Sequence, residues 1–470
     1  MWFFGPKYYL TVPLTFFVFF LACLADAEGI RSKDSPAPSG NVAVPLNFSL
    51  FDSPYNSQHG YSSPSMHQSL ELGIGAQRLL HLGLGQVLPI SQPGWAGFLS
   101  RLGVVLVDFQ VVALPLGVGW IHEEWHRAVM KNRGINSHNG VNDFGSGSIV
   151  AVNNETDAEL TRLKAEHPAD QIRLSAAGLE SSHALVTMME KDDFFRGSST
   201  FDYGTLWLAQ AGASSYLSGC ASVSSDEKTR KIESKEGVDI AKRDFIGLDC
   251  TGWVYDLHHP IEPFDARGVH PSGVGINRYK SFSDLSPREK KYLKIQRDLS
   301  LLNFVDPQLF GLKGFAFLNP LNHRNITLNG ALGHDLTPSG QALSLKLFVK
   351  DSDYRLPYGA NGFFATIYNY SNHARSFPGI EVEHRPLQVL ASAIGLGLRA
   401  MAWQQPKSLE FFTSSGSLGG LLGVKVFYNF RPNIQPWLEF QAKSTGWVAG
   451  DVNLNQATSI RLGLETAILN

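Results

Sequence analysis

Cysteine is scarce in this chain of 470 residues: three occur, Cys23, Cys220 and Cys250. The spacing of the last two is not that of a C-x-x-C metal pair, so a cysteine-held zinc is not expected. A dominant charge is also missing. Lys and Arg number 40 against 42 Asp and Glu, for a formal net charge of -2. That balance offers neither a basic field for a phosphate backbone nor an acidic tail, and nucleic acid is not an expected partner. No G-x-S-x-G elbow is present, which leaves Ser-His-Asp catalysis without support. The Gly-x-Gly pairs at 73/75 and 83/85 have no preceding strand, complete fingerprint or downstream acidic partner, so they read as packing positions and not as a nucleotide loop.

Export is the first feature present. Lys7 precedes an apolar run over residues 8–24, and Ala25-Asp26-Ala27 places small residues where a signal peptidase cuts. Residues 1–27 are therefore expected to be a signal peptide. Two other readings stay open: acylation of Cys23 after Phe20-Leu21-Ala22, and an uncleaved anchor, although the run is short of the roughly 20 residues a span needs. With the signal removed, Cys220 and Cys250 remain, an even count in a compartment that permits disulfides, and a bridge between them would close the polar stretch 226–244 as a loop.

At roughly 150 residues per domain, the length allows two or three folding units. Residues 28–68 are rich in Ser, Pro, Asn and Gly and read as an extended lead-in. Residues 69–312 read as a mainly helical domain. Leu70, Leu72, Ile74, Leu79, Leu80, Leu82 and Leu84 keep helical spacing, though the four glycines among them argue against one continuous helix. Residues 102–121 are almost wholly apolar, long enough for a membrane span or a buried helix pair. Asp108 would be costly facing lipid and Pro115 would break or kink a helix, which favours the buried or re-entrant arrangement. Two amphipathic segments flank Pro168, residues 224–244 read as a solvated charged loop, and a last helix is expected from Pro287 to about Leu302, capped by Ser283 or Ser286.

After about Lys313 the apolar period changes to two. Leu343, Leu345, Leu347 and Val349 alternate with Ser344, Lys346, Phe348 and Lys350; Leu438 and Phe440 alternate with Glu439, Gln441 and Lys443; Ile460, Leu462 and Leu464 alternate with Arg461 and Glu465. Five further runs, near residues 326–332, 363–370, 380–384, 394–402 and 424–430, make eight candidate strands. A soluble sandwich would also alternate. Charged residues opposite an oily face, in strands of about ten residues with aromatics near their ends, resemble bacterial outer-membrane barrels. The chain departs from that pattern at its last residue, Asn470, where such barrels end on an aromatic. The expected fold is α+β: a helical domain followed by an antiparallel β-barrel-like domain of about eight strands over residues 313–470. Glu439, Lys443, Arg461 and Glu465 should face inward, with Leu438, Phe440, Leu462 and Leu464 toward lipid. The resemblance implies an envelope protein, of the outer membrane of a Gram-negative cell, with membrane lipid as a partner.

The sharpest local signal is His122-Glu123-Glu124-Trp125-His126. On a helix, residues i and i+4 share a face, so both imidazoles can meet one metal while Glu123 stands beside its open position. The segment resembles the active-site helix of zinc metallopeptidases. Val129 and Asn132 occupy the positions of the Gly and third His of the metzincin branch, so the gluzincin branch fits better. Its third ligand is a Glu from a later helix, and Ala177-Gly178-Leu179-Glu180-Ser181-Ser182-His183-Ala184 supplies Glu180. The resemblance implies that His122, His126 and Glu180 hold Zn2+ and that Glu123 takes the proton of the attacking water, with a peptide or protein as substrate. Glu159, Asp193 and His138 are substitutes for Glu180. His258, His259 and His270 are surface residues or supports for a second ion or the transition state. The competing class is a non-enzymatic barrel or scaffold whose helical domain plugs, gates or binds partners.

Overall fold

The computed structural model describes residues 43–469, apart from 91, 93, 113–116, 141–150, 197–201, 319–323, 357–358, 390–393 and 431–433. The expected signal segment and Cys23 lie outside the described residues. All eight candidate runs form strands: β5 (Asn325–Thr337), β6 (Gly340–Leu356), β7 (Gly359–Ser371), β8 (Ser376–Val389), β9 (Ile394–Pro406), β10 (Gly416–Tyr428), β11 (Ile434–Lys443) and β12 (Ala457–Leu469). They pair antiparallel with their chain neighbours in one sheet.

The expected strand count and closure need correction. Two further strands make the sheet ten-stranded, in the order β1-β12-β11-β10-β9-β8-β7-β6-β5-β4, and among the described residues no pairing joins its ends. β1 (Ala43–Ser53) comes from the extended lead-in and pairs with the far end of the chain, Val44 opposite Ile468 and Asp52 opposite Arg461. β4 (Phe315–Leu318) is a four-residue edge, and the short strands β2 (His138–Gly140) and β3 (Ala151–Asn153) pair with each other outside this sheet. Sequence periodicity cannot reveal a partner more than 400 residues away, and Pro45 and the surrounding polar residues disguise β1 as a linker.

The faces of the sheet follow the pleat. Lys346, Gln441, Lys443, Arg461 and Glu465 are buried, while Leu345, Leu347, Ile380, Leu422, Phe440 and Leu462 are exposed. Charge is therefore turned in, beside buried aromatics such as Phe348, Phe364 and Trp403, while the outer face is hydrocarbon.

Nine helices are used below: α1 (Met66–Val87), α2 (Gly94–Val112), α3 (Val118–Asn132), α4 (Asp157–Glu166), α5 (Pro168–Arg196), α6 (Asp202–Cys220), α7 (Asp226–Glu233), α8 (Asp249–His258) and α9 (Pro287–Leu299). Capping boxes begin three of them, Ser65 with Gln68, Thr156 with Glu159 and Ser286 with Glu289, which satisfies N–H groups that have no partner inside the helix. α1 is continuous through its glycines. Gly73 admits Ile121 of α3 so closely that a Cβ would collide, and Gly75 lies against Phe48 of β1. The charged stretch read as a loop contains α7, and buried Asp226 ties it down by accepting from Phe282 N and Ser283 N. The apolar run 102–121 is divided between α2 and α3. Asp108 is fully buried and held by His81, Gln77 and Thr205. No helix among the described residues is long and apolar enough to cross a membrane.

α5 lies in the concavity of the sheet. Going along it, His183 pairs with Asp335 of β5, Glu190 with Lys346 of β6, Lys191 with Glu383 of β8 and Arg196 with Glu465 of β12. One helix thus reaches strands near both ends of the sheet, which requires the sheet to curl around it. A cavity of about 310 Å³ remains between them. On its other side α5 packs into apolar cores with α3, α6 and α8, centred on Trp125, Leu174, Leu185 and Phe245 and on Trp253, Leu179 and Leu217.

Candidate metal centre

α3 presents the H-E-x-x-H segment to a wholly buried position. His122 and His126 lie on one face with ring centroids 4.9 Å apart. Leu174 fixes the second ring: its carbonyl is 2.6 Å from His126 Nδ1, and since a carbonyl only accepts, Nδ1 carries a proton, which in the neutral ring leaves the lone pair on Nε2. Gly178, one helical turn further along α5, gives His122 its space, because a Cβ there would overlap the imidazole.

The third donor is Asp249, at the start of α8. Its Oδ2 lies 3.0 Å from His122 Nε2 and 3.3 Å from His126 Nε2. These three atoms form the one cluster of potential metal donors found among the described residues. Asp249 is placed by two tethers. Tyr216 Oη accepts its backbone N–H at 3.0 Å, and the adjacent Cys250 is disulfide-bonded to Cys220 at the end of α6, with Cα atoms 5.9 Å apart.

Electrostatics bind the three together. Burial would raise the Asp249 carboxyl, but the neighbouring imidazoles hold it well below the usual carboxylate range. Burial pushes His126 down, and the Asp249 carboxylate more than offsets this, leaving it above its ordinary value; in His122 burial wins and the shift is downward. Glu123 is buried on the same turn, and its charge is felt at His126 and at Asp244, whose carboxyl burial and Glu123 push well up.

The residues suit a zinc ion. Two imidazoles and one carboxylate are a catalytic donor set, and bonds of roughly 2.0–2.1 Å in a tetrahedron put donor atoms about 3.3 Å apart. The 3.3 Å separation of Asp249 Oδ2 from His126 Nε2 matches that edge, and its 3.0 Å contact with His122 Nε2, a hydrogen bond in this structure, is close to it. His126 Nε2 is buried and makes no hydrogen bond; its contact with Asp249 lacks hydrogen-bond geometry. A buried lone pair so placed is expected of a metal ligand.

Glu180 is elsewhere. It lies two residues beyond Gly178, and at 3.6 residues per turn that rotates it about 200° away from His122. It forms a buried bidentate pair with Arg173 at 2.7 and 3.1 Å and accepts Gly450 N at 3.0 Å, so its role is to anchor α5 to the turn before β12. The other candidates are also engaged. Glu159 caps α4, Asp193 accepts from Lys313, His259 meets Glu289 and His270 meets Ser272. His258 Nδ1 bonds Val254 O, and His138 is exposed on a short strand. Asp249 carried one faint sequence signal, its place beside a cysteine expected to be bridged.

No protein-family model matches the chain, and a comparison with curated proteins finds no match.

Proposed function

We propose that the protein is an envelope-associated zinc-dependent hydrolase, most simply a peptidase, anchored by the curled sheet. The observation that carries the reading is the convergence of His122 Nε2, His126 Nε2 and Asp249 Oδ2 beside Glu123. Zinc bound there supplies Lewis acidity, polarising a substrate carbonyl and acidifying water. The chain's own residues do the remainder. Leu174 holds His126 in the tautomer that leaves Nε2 free, Tyr216 and the disulfide hold Asp249 at the start of α8, and Glu123 accepts the proton of the attacking water and returns it to the leaving group. The outward hydrocarbon of the sheet supports a seat in a bilayer, because charged residues facing in and leucines facing out invert the arrangement water selects.

A second reading draws on α5 lying inside the curled sheet, which suits a plugged barrel or scaffold without chemistry. Metal content and hydrolysis, measured together on the purified full chain, separate the two. Glu123→Gln should keep one zinc per chain and lose about 10²–10⁴-fold in hydrolysis, the usual contribution of a general base. His122→Ala, His126→Ala or Asp249→Ala should each release the zinc. Wild-type protein that takes up no zinc and hydrolyses nothing would establish the scaffold reading instead, and a fully active Glu123→Gln would overturn the assignment of this helix as the catalytic centre.

A further inference from the structure

An antiparallel sheet with two unjoined ends is a poor membrane wall, because bare edges leave N–H and C=O groups facing hydrocarbon. Here the edges are not bare. Along β1, Arg78 of α1 donates to the main-chain Pro45 O at 2.9 Å, and the Asn47 side chain donates to Glu71 of the same helix at 2.7 Å. Along β5, beyond the end of the short β4, Leu332 N donates to Val305 O at 3.0 Å and His334 N to Asn303 Oδ1 at 2.6 Å. Helices connect the two edges. Arg78 of α1 pairs with Asp202 of α6 and Gln77 bonds Thr205, while Gln210 and Trp207 of α6 bond the carbonyls of Asn303 and Leu309. The path β1, α1, α6, residues 303–312, β5 is unbroken.

The helices at this seam share the inversion of the sheet. From Leu72 to Gly83 each exposed position of α1 is apolar, while Glu71, Arg78 and His81 are buried. α2 repeats the arrangement, with Trp95, Leu99 and Leu106 exposed and Asp108 fully buried. A helix on a soluble protein does the opposite. Averaged over its circumference α1 is too polar to span a membrane, yet its 22 residues rise about 33 Å, close to the roughly 30 Å of a hydrocarbon core.

We infer that α1, α2 and residues 301–318 form a lipid-facing seam that completes the wall of the curled sheet, so that acyl chains cover the exposed leucines of helices and strands alike. The occupant is a bilayer and not a protein. A second copy or a partner would cover one sector, whereas the apolar surface runs across the strands and continues over the seam, and only a surrounding medium meets all of it. The inference rests on the membrane reading of the sheet and extends it to helices that hydropathy does not nominate.

The test places nitroxide labels on the full chain with Cys23→Ser, reconstituted in phosphatidylethanolamine–phosphatidylglycerol vesicles, one introduced cysteine at a time. Leu79→Cys and Leu99→Cys probe the seam, Leu422→Cys and Phe440→Cys the sheet, and Tyr61→Cys an exposed loop; Leu72→Cys and Leu106→Cys replace either seam variant that fails to fold. Relaxation by oxygen, which concentrates in lipid, is compared with relaxation by a nickel chelate, which stays in water. Seam and sheet labels should both shift toward oxygen relative to Tyr61→Cys. If sheet labels favour oxygen but seam labels match the loop, the seam inference is overturned and the membrane reading survives. If sheet and seam labels all match the loop, both fall. Seam labels shielded from both reagents would show a protein partner there and overturn the inference.

Discussion

The helical core around α3, α6 and α8 and the curled sheet obey opposite rules. In the core, Trp125, Trp253, Leu174 and Leu185 are buried, as burial of apolar surface in water demands. Across the sheet and its seam the buried residues include Arg461, Glu465, Lys346 and Arg78, while Leu79, Leu345, Leu347, Leu422 and Leu462 are exposed. On the proposed membrane reading, one chain carries the packing signature of two solvents. The candidate metal donors all come from the helical core, where a donor can be held by apolar packing and a few directed hydrogen bonds. The sheet supplies a shell in which inward charges find partners on another strand, on α5 or, for Lys443, on the carbonyls of the turn that follows its strand.

That contrast can be broken at particular residues, beginning where the effect is largest. Trp253 fills the helical core and donates to Thr337 O at 3.0 Å. Trp253→Ala should destabilise by about 3–5 kcal/mol whether the protein is in detergent or lipid, read by chemical unfolding; a loss below about 1 kcal/mol would mean the core is not packed as described. Arg461 bonds Asp52 and Glu439 at 3.1 Å each. Arg461→Ala leaves two inward carboxylates without their cation and should also cost about 3–5 kcal/mol, whereas a surface arginine would cost almost nothing.

Its neighbour Leu462 points outward on the same strand, and Leu462→Arg is the discriminating partner. In vesicles it should cost about 2–4 kcal/mol, the penalty for an arginine near the bilayer midplane. A change within about 0.5 kcal/mol would mean that face meets water. The smallest effect is sought at the site. Gly178→Ala should weaken zinc binding by about 10–100-fold, as for other residues that orient ligands, while leaving the far-ultraviolet circular dichroism unchanged. Unaltered affinity in a metal titration would show that His122 does not depend on the space Gly178 provides.

Much of the fold was readable because its signals are local. Alternation of Leu438, Phe440, Leu462 and Leu464 with Glu439, Gln441, Arg461 and Glu465 located strands and their faces, since each residue's side follows from the pleat alone. Pro287, with Ser283 or Ser286 before it as a cap, announced α9 in the same way, and in the structure the cap is Ser286. β1 was not readable, because its pairing energy comes from β12 at the other end of the chain. The pair His122 and His126 was legible from spacing, and Glu180 was assigned by resemblance. In the folded chain that carboxylate is matched by Arg173, two turns before it on the same helix, while Asp249 arrives from α8.

The sequence alone determined what each segment must hide: helical stripes in the middle, two-residue alternation at the end, and two histidines one turn apart that can share a metal. Such properties depend on neighbours a few residues away, so they survive without knowledge of the fold. Only the tertiary structure decided which carboxylate joins the histidines, which strand lies beside β12 and how the two ends of the sheet are bridged. The first two are contacts between residues more than 100 positions apart and the third is a relay of contacts through several elements, all selected by the shape of the assembled helices and by the need to pair buried charge, and no local pattern encodes them.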